Sequence, residues 1–340
     1  MKKKGLIILI IGLIFLAVAL IIRFSVKRNV EYIHNIGEAQ GTTYSITYLQ
    51  PDGTDLHKKI EQRLHEFDHS LSTYDPNSII SQINKNNDTV RTDAIFEEMY
   101  QMARSVSEHT NGAFDITVGP LVKAWGFGPG ADDRTKIPDV SKILPNIGYH
   151  KIRLENHRVI KDNPNILLDA NALAQGQSVD IIARLLEENG CKQYMVEIGG
   201  EVMCKGLNPE GEKWKIGIDK PVDNPVGSDE LQTIVSISNC AINTSGNYRQ
   251  FYYLNGKKYA HEIDPRIGSP VVHNLLSATV VALTCMKADA YATAFMVVGV
   301  DSSLQICKSV HDLDCYLIYV DKNGKNQVVY TDGFKKYLTN

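Results

Sequence analysis

Seven short strand-forming runs crowd into the stretch 193–283, at 193–198, 202–207, 214–218, 231–237, 249–253, 259–263 and 277–283, with no helical pattern between them. A doubly wound parallel sheet needs strands and helices in alternation, so this clustering points to the α+β class. Helical spacing appears on either side. Leu56, Ile60, Leu64 and Phe67 recur over 55–70, and Ile95, Met99, Met102 and Val106 follow a capping Thr92 up to Asn111-Gly112. Further helices are expected at 175–189, ended by Gly190, at 287–298 and at 302–310. Short strands are expected at 42–49, 151–155, 158–161, 166–169 and 315–320, and a Gly/Pro/Asp-rich loop at 126–138. No repeat, low-complexity tract or clean linker interrupts 40–340. The expectation is a single mixed α+β domain of several short strands with flanking helices.

Ahead of that domain, Gly5 to Ile22 form 18 consecutive residues without a charge or strongly polar group. At 1.5 Å per residue they can just cross a bilayer core of about 30 Å. Ala17-Val18-Ala19 offers a signal-peptide cleavage site, but the run continues through Leu20, Ile21 and Ile22, which favours an uncleaved transmembrane anchor. Residues 1–28 are therefore read as membrane anchor or signal segment, and 29–39 as a tether. Lys2, Lys3 and Lys4 precede the run and Arg23, Lys27 and Arg28 follow it, so charge counting does not orient it. Those six are part of 36 basic residues, and none of the 39 acidic residues falls in 1–28; the body keeps 30 basic against 39 acidic. An acidic body is a poor binder of nucleic acid, whose affinity comes largely from cations on phosphates. The six cysteines contain no C-x-x-C pair, so neither a zinc knuckle nor a redox dithiol is indicated; disulfides are permitted but not required.

Several motifs carry chemistry, each beside a plainer reading. His65-Glu66-Phe67-Asp68-His69 matches H-E-x-x-H on a helix, where two histidines one turn apart could hold zinc with Glu66 as base. The same residues also read as a polar flank beside Leu64, Phe67 and Leu71, and Ser72 and Asp75 stand where the metzincin extension needs Gly and His. Gly126-Phe127-Gly128-Pro129-Gly130-Ala131 mimics a dinucleotide fingerprint without the strand–turn–helix context, so a loop is the better reading. Asp289 and Thr293 are stacked one turn apart on a helix, 287–299, that is apolar nearly all round. A carboxylate there is costly to bury unless paired or bound, and two oxygens on one face suit a hard cation such as Mg²⁺. A first-turn Asp favoured by the helix dipole is the plainer account of Asp289 alone. Leu168 to Gly176 runs from a strand into a helix N-terminus whose free N–H groups can take a phosphate, or simply be capped by Asp169 or Asn171. His261 stands just ahead of the Asp264-Pro265-Arg266-Ile267-Gly268 turn and could serve as a general base.

Taken in order, further segments complete a resemblance. They are Gly41-Thr42-Thr43-Tyr44, Leu71 to Ser78, Asn111 to Val122 with Trp125-Gly126-Phe127-Gly128 following, and Asp169 to Asp180. Glu197 to Glu201, Thr244 to Arg249, His261 to Gly268 and Ala288-Asp289-Ala290 follow. Together they resemble the ApbE-type FAD:protein FMN transferases over roughly 40–300. The resemblance implies a mainly α+β catalytic domain, 40–340, on the extracytoplasmic (periplasmic) side of a bacterial cytoplasmic membrane, N-terminus inside. Such enzymes cleave FAD, release AMP and attach FMN through a phosphoester to a Thr or Ser of a target flavoprotein, here expected to be a membrane redox-complex subunit. Family Mg²⁺ ligands fall on the Ala172 carbonyl and the side chains of Asp289 and Thr293. Flavin contacts fall on Tyr74, Ala113, Phe114, Asp115, Asp169, Gln175 and backbone near Ala260, and the catalytic histidine on His261. Gln40, Gln175 and Ile267 depart from the commoner Met, Lys and Thr. A membrane-anchored zinc metalloprotease using His65, Glu66 and His69, and a non-catalytic FAD-binding protein, remain the alternatives.

Overall fold

The computed structural model describes residues 31–339 except 129–130, 222–229 and 249. The expected membrane segment lies outside these residues; among the described ones no helix is long and apolar enough to cross a membrane. The chain begins with strands β1 (Ile33–Ala39) and β2 (Thr42–Tyr48), then helices α1 (His57–Leu71), α2 (Ile79–Asn84), α3 (Ala94–His109) and α4 (Gly119–Ala124). The hairpin β3 (Ile152–Glu155) and β4 (Arg158–Lys161) precedes α5 (Asn171–Glu188). Strands follow as β5 (Tyr194–Ile198), β6 (Glu201–Lys205), β7 (Trp214–Asp219), β8 (Leu231–Ile237) and β9 (Cys240–Gly246). The next pairs are β10 (Phe251–Leu254) with β11 (Lys257–Ala260), and β12 (Ile263–Asp264) with β13 (Ser269–Pro270). The chain closes with β14 (Leu275–Ala282), α6 (Cys285–Val298), α7 (Val300–Ser309), β15 (Leu313–Val320) and β16 (Asn326–Tyr330).

Eight strands form one sheet in the order β1-β2-β5-β6-β9-β14-β15-β16, antiparallel at every junction. Successive residues point to opposite faces and so divide between two cores. Ala241, Val280 and Leu317 enter the larger core under the helices; their neighbours Ile242, Val281 and Ile318 enter a smaller one with Trp214, Val235 and Phe334. On the helix side α5 and α6 lie on β5, β6, β9 and β14, and α1 and α3 pack against that pair. This enclosure explains why α6 has no polar face: it has no solvent side. Its start is set by Thr284, whose hydroxyl accepts the Lys287 N–H. The architecture is α+β, helices on one face of an antiparallel sheet, as the strand clustering required.

Five expectations change. Residues 33–39, read as part of a tether, pair along their whole length with β2. The strand was hidden because its buried position is polar: Asn35 donates to Asp55 and accepts from the Tyr48 hydroxyl. Strand β9 lies at the centre of the sheet but lacks alternation, since Cys240, Ala241, Ile242 and Asn243 are all buried. Residues 166–169 are extended but outside any sheet; Leu168 exchanges both backbone bonds with the Asn84 side-chain amide, and the Asp169 N–H goes to the Ile116 carbonyl. The next helix therefore starts at Asn171 rather than 175, placing Ala172 and Gln175 in its first turns. α3 is capped by Asp93, not Thr92.

Candidate functional site

Helices α5 and α6 run antiparallel and are tied at two levels. Near the start of α6 the Asp180 carboxylate accepts the N–H groups of Cys285 (2.8 Å) and Met286 (2.9 Å). One turn further along each helix, the Gly176 N–H donates to Asp289 Oδ2 at 3.0 Å. The next step of that register sets Ala172 level with Thr293. The Gly176 N–H lies inside a continuous helix and still reaches a carboxylate on its neighbour. Gly176 is required for the close approach, since a Cβ there would stand 2.6 Å from the Cys285 carbonyl and 2.8 Å from Asp289 Cβ.

Asp289 is 5% exposed, and burial pushes its carboxyl up to about 7 against the opposing pull of the Gly176 N–H. Glu201, on β6, is driven well above the usual range by burial and then by the Asp289 charge, and its Oε2 has no hydrogen-bond partner among the described residues. The Asn243 amide from β9 faces both carboxylates without a hydrogen bond of good geometry. From Ala288 to Val297 every residue but Thr293 is buried. Gln175 reaches over Gly199, where a Cβ would meet its amide nitrogen at 2.7 Å and Glu201 Oε2 at 3.2 Å. These residues give oxygen donors from a carboxylate, a hydroxyl and a helix carbonyl, the set a hard cation prefers.

A second group surrounds the segment after α3. Ala113 and Phe114 are buried, their N–H groups held by the Thr110 carbonyl and hydroxyl. Asp115 Oδ1 accepts from the Thr117 N–H and hydroxyl, and Oδ2 from the Tyr149 N–H at 2.6 Å. Burial nonetheless raises its pKa, outweighing those bonds. Asp169 packs over Gly119 and accepts the Asn171 N–H at the start of α5; burial raises its carboxyl too. Tyr74 stands 73% exposed on a turn beside a cleft of about 310 Å³ lined by Thr73, Pro76, Ser81, Asn84 and Lys85.

His261 follows the buried Ala260 at the end of β11. Its Nδ1 lies 3.3 Å from the Gln250 carbonyl and 3.4 Å from Glu262 Oε1, and the Phe127 ring packs edge-on at 6.3 Å. The turn after it is rigid. Asp264 accepts from the Arg266 N–H and guanidinium, and the Trp125 indole donates to the Gly268 carbonyl at 2.8 Å. Trp125 also stacks on Tyr259 of β11, so the 125–128 segment, a loop as expected, braces the histidine strand. Sequence reasoning did not single out Gly176, Glu201 or Glu262. A positional signal was present for all three, since each lies inside a stretch that carried the resemblance; the burial that sets Glu262 apart is tertiary and had no local sign.

The H-E-x-x-H motif forms no site. His65, Glu66 and His69 are exposed on α1, and the Glu66 carboxylate is engaged by Arg63 and Gln62. Among the described residues no three His, Cys, Asp or Glu side chains converge as a metal site. The zinc reading falls on that geometry.

Comparison with known proteins bears on the rest. Residues 40–317 match the model of the ApbE family. The chain is 36% identical over 332 residues to the FAD:protein FMN transferase of Haemophilus influenzae, covering 93% of this chain and 94% of that one. It is 34% identical over 328 residues to the protein of the same name from Vibrio cholerae, covering 92% of each. Among solved structures, the flavin transferase ApbE from Vibrio cholerae superposes with a TM-score of 0.82 at 33% identity, covering 91% of this chain and 99% of that one. The apo flavinyl transferase ApbE of Pseudomonas stutzeri superposes with a TM-score of 0.80 at 28% identity, covering 91% and 97%. With the fold, the order of the motifs and near end-to-end relatives in agreement, this chain belongs to the ApbE family.

Proposed function

We infer that this chain is a flavin transferase: it transfers FMN from FAD to a Thr or Ser hydroxyl of an acceptor flavoprotein and releases AMP. The observation that carries the reading is the match along nearly the whole chain with relatives named FAD:protein FMN transferase. The geometry supports it. Tyr74 offers an exposed aromatic face beside a cleft, suited to a flavin ring. Ala113, Phe114 and Asp115 form a hydrogen-bonded wall next to Asp169 and the first turn of α5. The N-terminus of that 18-residue helix presents backbone N–H groups suited to a phosphate.

The Ala172 carbonyl, Asp289 carboxylate and Thr293 hydroxyl are the residues that would hold Mg²⁺. The fit rests on a carboxylate buried inside an apolar helix, with Glu201 and Asn243 orphaned beside it. Mg²⁺ bound there would supply positive charge for the pyrophosphate and the departing AMP. His261, half-exposed, accepts the proton of the acceptor hydroxyl as that oxygen attacks the FMN-side phosphorus. The phosphorus–oxygen bond to AMP breaks and AMP carries the negative charge away. The segment 5–22 is proposed as the anchor that keeps the domain at the membrane, extracytoplasmic side. A redox-complex subunit bearing an exposed Thr or Ser loop suits such an acceptor.

The test is mass spectrometry of an acceptor domain co-incubated with the enzyme, FAD and Mg²⁺. The acceptor should gain one FMN, with one AMP released per event. FAD bound without AMP release would mean a storage protein, and AMP release without acceptor labelling would mean a pyrophosphatase.

A further inference from the structure

We propose that Glu262 is a positioning residue for His261, holding its imidazole in the form whose Nε2 is free to take the acceptor's proton; this rests on the reading of His261 as base. Two observations converge on it. The first is the geometry around the ring. Nδ1 faces the Gln250 carbonyl at 3.3 Å and Glu262 Oε1 at 3.4 Å, both acceptors. A neutral imidazole carries one N–H, and two acceptors on the Nδ1 side put it there, leaving the lone pair on Nε2. The Phe127 ring packs edge-on at 6.3 Å and limits ring rotation.

The second observation is the state of the carboxylate itself. The Glu262 side chain is only 3% exposed, and neither of its oxygens has a hydrogen-bond partner among the described residues. A buried carboxylate left unpaired is unfavourable, and the charge that would pair with it is the imidazolium His261 becomes on accepting a proton at Nε2. An acidic group in that position both orients a base and stabilises its protonated form, as in hydrolase triads.

The backbone that carries the carboxylate is also held. The Glu262 carbonyl accepts the Val271 N–H at 3.0 Å, and the next two residues pair with Ser269 and Pro270. His261 is anchored from the other side, its own N–H donating to the Gln250 carbonyl at 3.2 Å. Neither side chain therefore depends on a mobile backbone for its place.

Four measurements on the full-length enzyme test the proposal. Imidazole ¹⁵N spectra of the histidine-labelled wild type should show the His261 proton on Nδ1; a proton on Nε2 overturns the proposal whatever the variants do. Glu262→Gln keeps the shape and removes the charge. It should lower kcat by about tenfold or more while KM for FAD stays within about twofold. Glu262→Met removes the carboxylate and leaves the Gln250 carbonyl as the remaining acceptor at Nδ1, so it should shift part of the proton population toward Nε2; an unchanged population overturns the role of Glu262 in holding the ring. In a His261→Ala background, Glu262→Gln should cause no further loss, because the residue acts through the histidine. An inactive His261→Ala beside a fully active Glu262→Gln, or a loss confined to KM, overturns the positioning role alone. A His261→Ala enzyme with wild-type kcat overturns the base reading beneath it.

Discussion

Asp289 is unfavourable for folding where it stands, which is the argument for its proposed role as a ligand. Burial raises its carboxyl to about 7, far above the unfolded value, so the native state holds this proton more tightly than the unfolded chain does. Without metal, its contribution to stability is present in acid and lost as pH rises from about 4 through 7. Asp289→Ala should abolish transfer yet keep or raise the melting temperature at pH 8 in chelator, since the substitution removes the cost of burying a carboxylate. Added Mg²⁺ should raise the wild-type melting temperature and leave the variant's unchanged. A variant that still flavinylates at ordinary Mg²⁺ defeats the ligand assignment. Exposure of Tyr74 gives the opposite case, a residue with little to contribute to folding. Tyr74→Ala should leave the melting temperature within about 2 °C while weakening FAD binding by about tenfold, as lost stacking predicts. Unchanged FAD affinity by titration would remove Tyr74 from the flavin site.

At the scale of elements, the antiparallel pair α5 and α6 decides the site. Asp180 holds the first turn of α6 through two backbone N–H groups, although burial pushes its own carboxyl up to about 6. Asp180→Asn replaces one accepting oxygen with a donor facing an N–H, which should destabilise the fold by about 1–3 kcal/mol. The sign of the pH effect follows from the raised pKa. Between about pH 4 and 6 the native state keeps this proton while the unfolded state releases it, so wild-type stability falls across that window. The gap between wild type and Asp180→Asn in denaturant titrations should therefore narrow from pH 4 to pH 7. A gap that widens would mean that the two N–H bonds outweigh desolvation. Both helices were legible in outline from local runs, α5 from Gln175 to its Gly190 stop and α6 as an unbroken apolar stretch, while the first turn of α5 was not. Strand β9 was not: a strand buried on both faces has no alternation to read, and its Asn-Thr-Ser-Gly half resembles a turn.

For the whole molecule, the antiparallel sheet sets one edge at β1 and the other at β16. β1 begins at Ile33, a few residues beyond Arg28, so little chain separates the proposed anchor segment from the sheet. Removing residues 1–28 should move the enzyme from the membrane fraction to the soluble one with kcat within about twofold. Removing 1–39 strips β1, exposes the β2 edge and should cause aggregation. A full-length chain recovered wholly in the soluble fraction would defeat the anchor proposal. The Asp289, Thr293 and His261 side chains were legible as candidates because each is chemically out of place in its local pattern. The opposite held for His65, Glu66 and His69, where a motif of correct spacing sits on a solvated helix face.

By itself the sequence determined the fold class, the helices with a clear apolar stripe, and the family, because these rest on local periodicity and on the linear order of motifs. Tertiary structure alone decided which strands are neighbours, that Gly176 meets Asp289 across 113 residues, and that the Glu262 carboxylate lies buried beside His261 without a hydrogen bond among the described residues. The reason is physical. Close approach and desolvation are set by what packs around a residue, and residues far apart along the chain supply that packing.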